Sequence, residues 1–118
     1  MFAYLNVDFE DNKYDIGPAP EFDRSSWFNV KFDLGFDYPN LPHLIDGHTK
    51  LTETVGIMKY IAKKWDPSLL GSNAGQFGHL EMLSAHVGEL KTKATMPCYM
   101  SQDGDKTPVV DECRPIHQ

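Results

Sequence analysis

Three features of the 118-residue sequence point to a mixed α/β unit that leads into a helical one. An Asp46-Gly47 pair lies between two short apolar runs, the signal of a tight β-hairpin, because Gly tolerates the positive φ such a turn needs. Val55, Met58, Ile61, Ala62 and Trp65 then recur at steps of three and four, the period of a helix with one apolar face. A longer stripe of similar period, Phe77, Leu80, Leu83, Val87, Leu90 and Ala94, follows a polar break.

In chain order, Phe2, Leu5 and Phe9 have helix-like spacing with no N-cap residue ahead of them, so residues 1–11 read as the tail of an element. Residues 12–16 read as a short strand, which Gly17-Pro18-Ala19-Pro20 breaks. Residues 21–42 form a long loop carrying Phe22, Trp27, Phe28, Phe32, Phe36 and Tyr38, more large rings than a loop leaves in water without a core or a partner. A short helix fits residues 27–34. Leu44-Ile45 and residues 49–51 are the hairpin strands, and the helix after them is capped by Thr52 or Thr54 and ended by Asp66-Pro67. Residues 67–75 read as a linker. The second helix runs over about 76–96, carries Gly78 and Gly88, and stops at Pro97. Beyond Tyr99 the chain is polar and without period, as in a frayed tail.

Composition narrows the function classes. A length of 118 residues suits one domain or one domain and part of a second, and 41% hydrophobic with 12% aromatic residues suits a globular chain. A net charge of -6 and a pI near 5.2 have the wrong sign for a nucleic-acid footprint or a polybasic membrane patch. No run is long and apolar enough for a spanning helix, and the start lacks a basic and then apolar leader, so a cytoplasmic location is expected. Cys98 and Cys113 form no CxxC pair, which argues for reduced thiols, and Cys98 reads as a small core residue rather than a nucleophile. His43, His48, His79, His86 and His117 form no HExxH motif, so no metal site is expected.

The stretch KYDIGPAPEFDRSSW at 13–27, then KFDLGFDYPNLPHLIDG at 31–47 and KLTETVGIMKYIAKK at 50–64, resembles the mu class of cytosolic glutathione S-transferases. The resemblance includes the long loop of that class and reaches Cys98-Tyr99, while residues 104–118 depart from it. It implies a thioredoxin-like N-terminal domain over residues 1–66, a linker over 67–75 and the start of the family's all-α C-terminal domain over 76–118, with a polar tail. The alignment places Met1 midway along the family's first helix. On that alignment the first strand, which lies between the second and third in the family, and the thiol-activating tyrosine it bears have no counterpart here, so no catalytic residue is expected. Losing that strand strips the second of its ladder partner and opens the middle of the sheet.

The resemblance also implies site residues. Asn40-Leu41-Pro42 matches the family's Asn-Leu-Pro, where the proline is cis and the Leu41 backbone is free to pair with the extended backbone of glutathione. Glu53-Thr54 stands where mu enzymes usually have Gln-Ser, at a helix start; the helix N-terminus and hydroxyl suit the γ-glutamyl carboxylate and Glu53 suits its ammonium. Trp27 and Lys31 match residues that bind the glycyl carboxylate, with Arg24 at the loop edge of the site. Glu81 aligns with an Asp that reaches the neighbouring subunit's site. Tyr38 stands where mu dimers insert a Phe into the partner, and burial in the chain's own core is the alternative reading. The activity implied is conjugation of reduced glutathione, a co-substrate and not a resident cofactor, to hydrophobic electrophiles in detoxification. The alternative is a catalytically inactive glutathione-binding or dimer-partner fragment. Implied partners are glutathione, electrophilic small molecules, and a second subunit in a homodimer or in a heterodimer with a full-length transferase, with neither nucleic acid nor membrane.

Overall fold

A computed structural model of the chain describes residues 1–100, of which residues 97–100 are described by their backbone. The elements are α1 (Phe2–Leu5), α2 (Ser25–Phe28), β1 (His43–Asp46), β2 (Thr49–Thr52), α3 (Thr54–Trp65), a 3-10 turn at Pro67–Leu70, and α4 (Ala74–Met100). They fall into two compact units that divide between Leu70 and Gly71. Cys113, His117 and the polar tail lie outside the described residues.

The first unit is organised by its hairpin. β1 and β2 pair antiparallel with His43 opposite Thr52 and Asp46 opposite Thr49. The connection is two residues long, and Gly47 takes φ 59, a region where a side chain is strained. α3 follows directly and packs on both strands and on the 3-10 turn. Its buried residues are Ile57, Ile61 and Ala62, whereas Val55 and Met58 are about half exposed. The expected apolar face is therefore rotated: Ile57 replaces Val55 and Met58 against the sheet. The expected Thr cap is also corrected. Glu53 is the N-cap, with no side-chain cap bond, and Thr52 Oγ1 donates instead to the Tyr38 carbonyl at 2.8 Å. Asp66 ends the helix as expected and accepts from the backbone N–H and hydroxyl of Ser68.

Two aromatic clusters hold the rest. Phe2 stacks on Phe9 with centroids 5.1 Å apart and meets Trp65 edge-on at 5.7 Å. This contact folds the N-terminal segment back onto the end of α3; α1 itself ends at Asn6, which sits in the left-handed region at φ 52. In the second cluster Tyr14, Trp27 and Phe36 surround His43 with centroids 4.9–5.9 Å from its ring. Trp27 and Phe36 are buried, and with Ile57, Ile61 and Ala62 of α3 they make up the buried core of the described residues.

Residues 12–16 are not a strand, a correction with a plain cause: residues 8–16 make no backbone–backbone hydrogen bond among the described residues. The helix expected over 27–34 is the single turn α2, continued by turns. Asp23 fixes its start by accepting from the Ser25 N–H at 2.9 Å and the Ser25 hydroxyl at 2.6 Å, bonds that hold its carboxyl below the usual carboxylate range.

In the second unit Asn73 caps α4 by accepting from the Gln76 N–H at 3.0 Å, while the Gln76 side chain accepts from the N–H and hydroxyl of Ser72. Gly71 turns the chain into this cap at φ 86, where an added Cβ would lie 2.8 Å from the Phe77 nitrogen. α4 does not stop at Pro97. Proline removes one backbone donor, and here it does so within the last turn.

Candidate functional site

The site grows out of the hairpin's open end. Because His43 pairs with Thr52, the residues just outside them, Pro42 and Glu53, must also be neighbours. The Leu41–Pro42 peptide is cis, and the Ala19–Pro20 peptide is cis as well, which the sequence did not announce. Asn40 locks the arrangement: its Nδ2 donates to Glu53 Oε1 at 3.0 Å and its Oδ1 accepts from the Leu41 N–H at 2.9 Å. That last bond corrects one expectation. The Leu41 N–H is not free and must exchange its partner to pair with a bound peptide.

Glu53 stands at φ 72 and ψ 119, a conformation that side chains rarely adopt. The conformation turns the chain sharply from β2 into α3, whose first bond runs from the Ile57 N–H to the Glu53 carbonyl at 3.0 Å. The N–H groups of the turn before it have no acceptor within the helix, so the start of α3 carries positive potential next to a carboxylate and an amide. The loop that carries Asn40 is pinned from outside. Lys50 Nζ donates to the Leu34 carbonyl at 2.6 Å, and Thr52 Oγ1 holds the Tyr38 carbonyl. Between loop and strand lies a depression of about 470 Å³ lined by Phe36, Tyr38, Lys50, Thr52 and Glu53 among others.

The structure places the remaining expected residues as follows. Trp27 is 8% exposed and stacks on His43, the residue after Pro42, at an interplanar angle of 18°. Lys31 follows it by one turn, its N–H donating to the Trp27 carbonyl at 3.0 Å, and its ammonium lies 4.9 Å and 5.2 Å from the Phe32 and Phe28 ring centroids. Arg24 joins them through its backbone, its carbonyl accepting from the Trp27 and Phe28 N–H groups. Thr54 opens α3. Tyr38 is 81% exposed, which removes burial in the first unit's core as an account of its ring. Glu81 lies on α4 in the second unit.

Two further groups were not singled out from sequence, His43 beside the Pro42 turn and Asp46 at the hairpin's closed end. Burial among rings lowers the His43 pKa, and its Nδ1 has no hydrogen-bond partner among the described residues. Asp46 accepts from Lys64 Nζ and from the Tyr60 hydroxyl, the latter at 2.7 Å, and these bonds lower its pKa. The i, i+4 spacing of Tyr60 and Lys64 on a helix was the available signal for that pair.

Residues 1–63 match the family model described as glutathione S-transferase, N-terminal domain. A glutathione S-transferase of Dermatophagoides pteronyssinus is 42% identical over 99 residues, which cover 84% of this chain and 44% of that protein. Glutathione S-transferase Mu 1 of Bos taurus is 39% identical over 106 residues, covering 90% of this chain and 47% of its own length. The crystal structure of the glutathione S-transferase Blo t 8 superposes with a TM-score of 0.79 at 26% identity, covering 94% of this chain and 48% of that one. The chain thus spans about half the length of the curated relatives it matches.

Proposed function

This chain belongs to the glutathione S-transferase family, with mu-class members among its relatives and the family's thioredoxin-like N-terminal fold, and on that premise we propose that it holds reduced glutathione at the open end of the hairpin. The observation that carries the reading is the Asn40–Glu53 hydrogen bond, which joins the Pro42 turn to the start of α3 across 13 residues of sequence. In this reading the tripeptide lies extended against Leu41, whose N–H passes from Asn40 Oδ1 to the ligand. The γ-glutamyl carboxylate takes the N–H groups at the start of α3 and the Thr54 hydroxyl, while Glu53 takes the ammonium. Trp27 and Lys31 face the glycyl carboxylate, and Arg24 edges the loop.

The reaction served is conjugation of glutathione sulfur to hydrophobic electrophiles, a detoxification carried out in the cytoplasm. It proceeds through the thiolate, which resemblance to the mu class assigns to stabilisation by a tyrosine hydroxyl. No residue of this chain is assigned that step. Tyr38 anchors a second subunit, identical or full-length, and Glu81 reaches across to its site. A second reading is binding without conjugation: the Tyr60 hydroxyl donates to Asp46, the Tyr14 ring packs on Trp27 and His43, Tyr4 is exposed on α1, and Tyr38, the described tyrosine that lines the depression beside Glu53, is assigned here to the partner subunit. Calorimetric titration with glutathione tests the site, and unmeasurable binding refutes it. Thioether formation from an aryl halide, with and without a full-length transferase subunit, separates the two readings.

A further inference from the structure

Resting on the glutathione reading above, we propose that His43 is a positioning residue of that site: as a neutral imidazole it holds the Trp27 indole toward the glycyl carboxylate, and on taking up a proton it releases the ring and weakens capture of the tripeptide. His43 stands where the two halves of the site join. Its backbone follows the cis Leu41–Pro42 peptide and pairs with Thr52, the residue before Glu53. Its side chain lies on Trp27, with ring centroids 5.8 Å apart and planes 18° apart.

The contacts of the indole define what His43 contributes. Trp27 is buried, so its neighbours rather than water set its orientation. Tyr14 meets it edge-on at 5.0 Å, and His43 meets it face-on. An edge contact leaves a ring free to tilt, whereas a parallel one at this distance fixes its plane and therefore the direction of its single N–H donor. Phe36 and Tyr14 close on the imidazole at tilted angles, with centroids 4.9 Å and 5.9 Å away.

The charge state of the imidazole is what the stack can sense. A neutral imidazole tolerates a bare Nδ1 when its proton sits on Nε2, but the imidazolium carries an N–H on both nitrogens. His43 Nδ1 is buried and has no hydrogen-bond partner among the described residues, so protonation places a charged donor where nothing accepts it. Aromatic faces attract a cation weakly, while a buried imidazolium N–H without an acceptor is a large cost; burial therefore decides, and it lowers the His43 pKa. Burial rather than a neighbouring charge is the cause. Tyr14 is the titratable side chain in ring contact, and Asp15 and Asp37 follow Tyr14 and Phe36 in sequence. Lys13 pairs with Asp11, Asp46 with Lys64 of α3, Glu53 with Asn40 and Lys50 with the Leu34 carbonyl, while Lys31 lies over Phe28 and Phe32. To find an acceptor the imidazolium must turn out of the stack toward water.

The test takes the whole chain from about pH 7 to about pH 5 with S-methylglutathione, a probe whose carboxylates stay ionised and whose amine stays protonated over that range. Calorimetric titration, run below the melting midpoint at each pH, should show Kd about doubled where half the imidazole is protonated and rising toward about tenfold one pH unit lower. His43→Ala should weaken binding at the upper pH, and His43→Phe, a flat ring that takes no proton, should recover it and remove the pH dependence. In the nitrogen-15-labelled chain the indole N–H resonance of Trp27 should move with a midpoint below pH 6.5 while that of Trp65, the other of the two tryptophans, stays in place. The movement should vanish in His43→Phe. Affinity that stays flat or rises toward the lower pH, an equal loss in His43→Phe, or a Trp27 resonance that does not move would each overturn the proposal. No binding at any pH would instead refute the glutathione reading, and this proposal with it.

Discussion

Glu53 couples a backbone cost to a binding role, and a pair of substitutions separates them. Its φ of 72 and ψ of 119 fall where a side chain costs on the order of 1–3 kcal/mol. Glu53→Ala keeps that cost and deletes the carboxylate. Glu53→Gly deletes both, at about 0.5–1 kcal/mol of extra unfolded-state entropy. Both variants lose the same Asn40 hydrogen bond, so the glycine variant should be the more stable of the two, by up to about 2.5 kcal/mol. This order is the reverse of that at an ordinary helix or strand position. Both should lose glutathione affinity equally, by about 1.5–3 kcal/mol for one charge-assisted hydrogen bond. That corresponds to about 10–150-fold in Kd. Urea denaturation of the two variants side by side reads the first quantity, and calorimetric titration reads the second. An alanine variant at least as stable as the glycine variant would refute the backbone argument. Undiminished affinity would remove Glu53 from the site.

The glycines divide by the space around them: Gly56→Ala, with nothing within 4 Å of the new Cβ inside α3, should stabilise by about 1 kcal/mol, as a melting curve will read. Gly71→Ala, at φ 86 and against the Phe77 nitrogen, should instead destabilise the start of α4 by at least about 1–3 kcal/mol, seen as faster amide exchange there. Burial holds the His43 pKa below 6.5 in the folded chain, so the unfolded chain takes up the proton first; stability is full above pH 6.5 and falls below it until the folded pKa is passed. His43→Phe should flatten the melting midpoint between about pH 7 and pH 5. Lys64 and then Tyr60 hold the Asp46 carboxyl below 3.8, so its contribution is present above that pH and lost as pH falls through the lower folded value. Asp46→Asn should blunt this acid limb in a pH series of melts.

What the sequence announced was local. The hairpin and α3 follow from a turn dipeptide and a period of three to four, both contained in a few residues. What it withheld depends on tertiary neighbours. Thr52 was a sound cap on local grounds, but its hydroxyl finds the Tyr38 carbonyl, an acceptor 14 positions away. The apolar stripe of α3 is broad enough to rotate, and contact with the sheet selects Ile57 over Val55 and Met58. Residues 12–16 have the composition of a strand, yet a strand is a pairing, and among the described residues they have no ladder partner. His43 could not be singled out because its surroundings are three rings, two of them drawn from the long loop.

The site was legible for a related reason: its spacing is its geometry. Between Pro42 and Glu53 lie two strands of 4 residues and a turn of 2, so the chain leaves and returns at the same end of the hairpin and the cis turn meets the start of α3 by construction. The consequence can be tested without touching a single named site residue. One glycine inserted between Gly47 and His48 lengthens the turn, and three-residue hairpin loops with Gly in the left-handed region can preserve the pairing beyond them. One alanine inserted between Lys50 and Leu51 slips the register, which turns Leu51 and Thr52 to the opposite faces and carries Glu53 away from Asn40. The first insertion should leave glutathione affinity within about threefold, whereas the second should cost at least the about tenfold assigned to Glu53 alone. Equal losses from both would mean that the ligand does not read the hairpin's register, and that the nearness of Asn40 and Glu53 is not what recognises it.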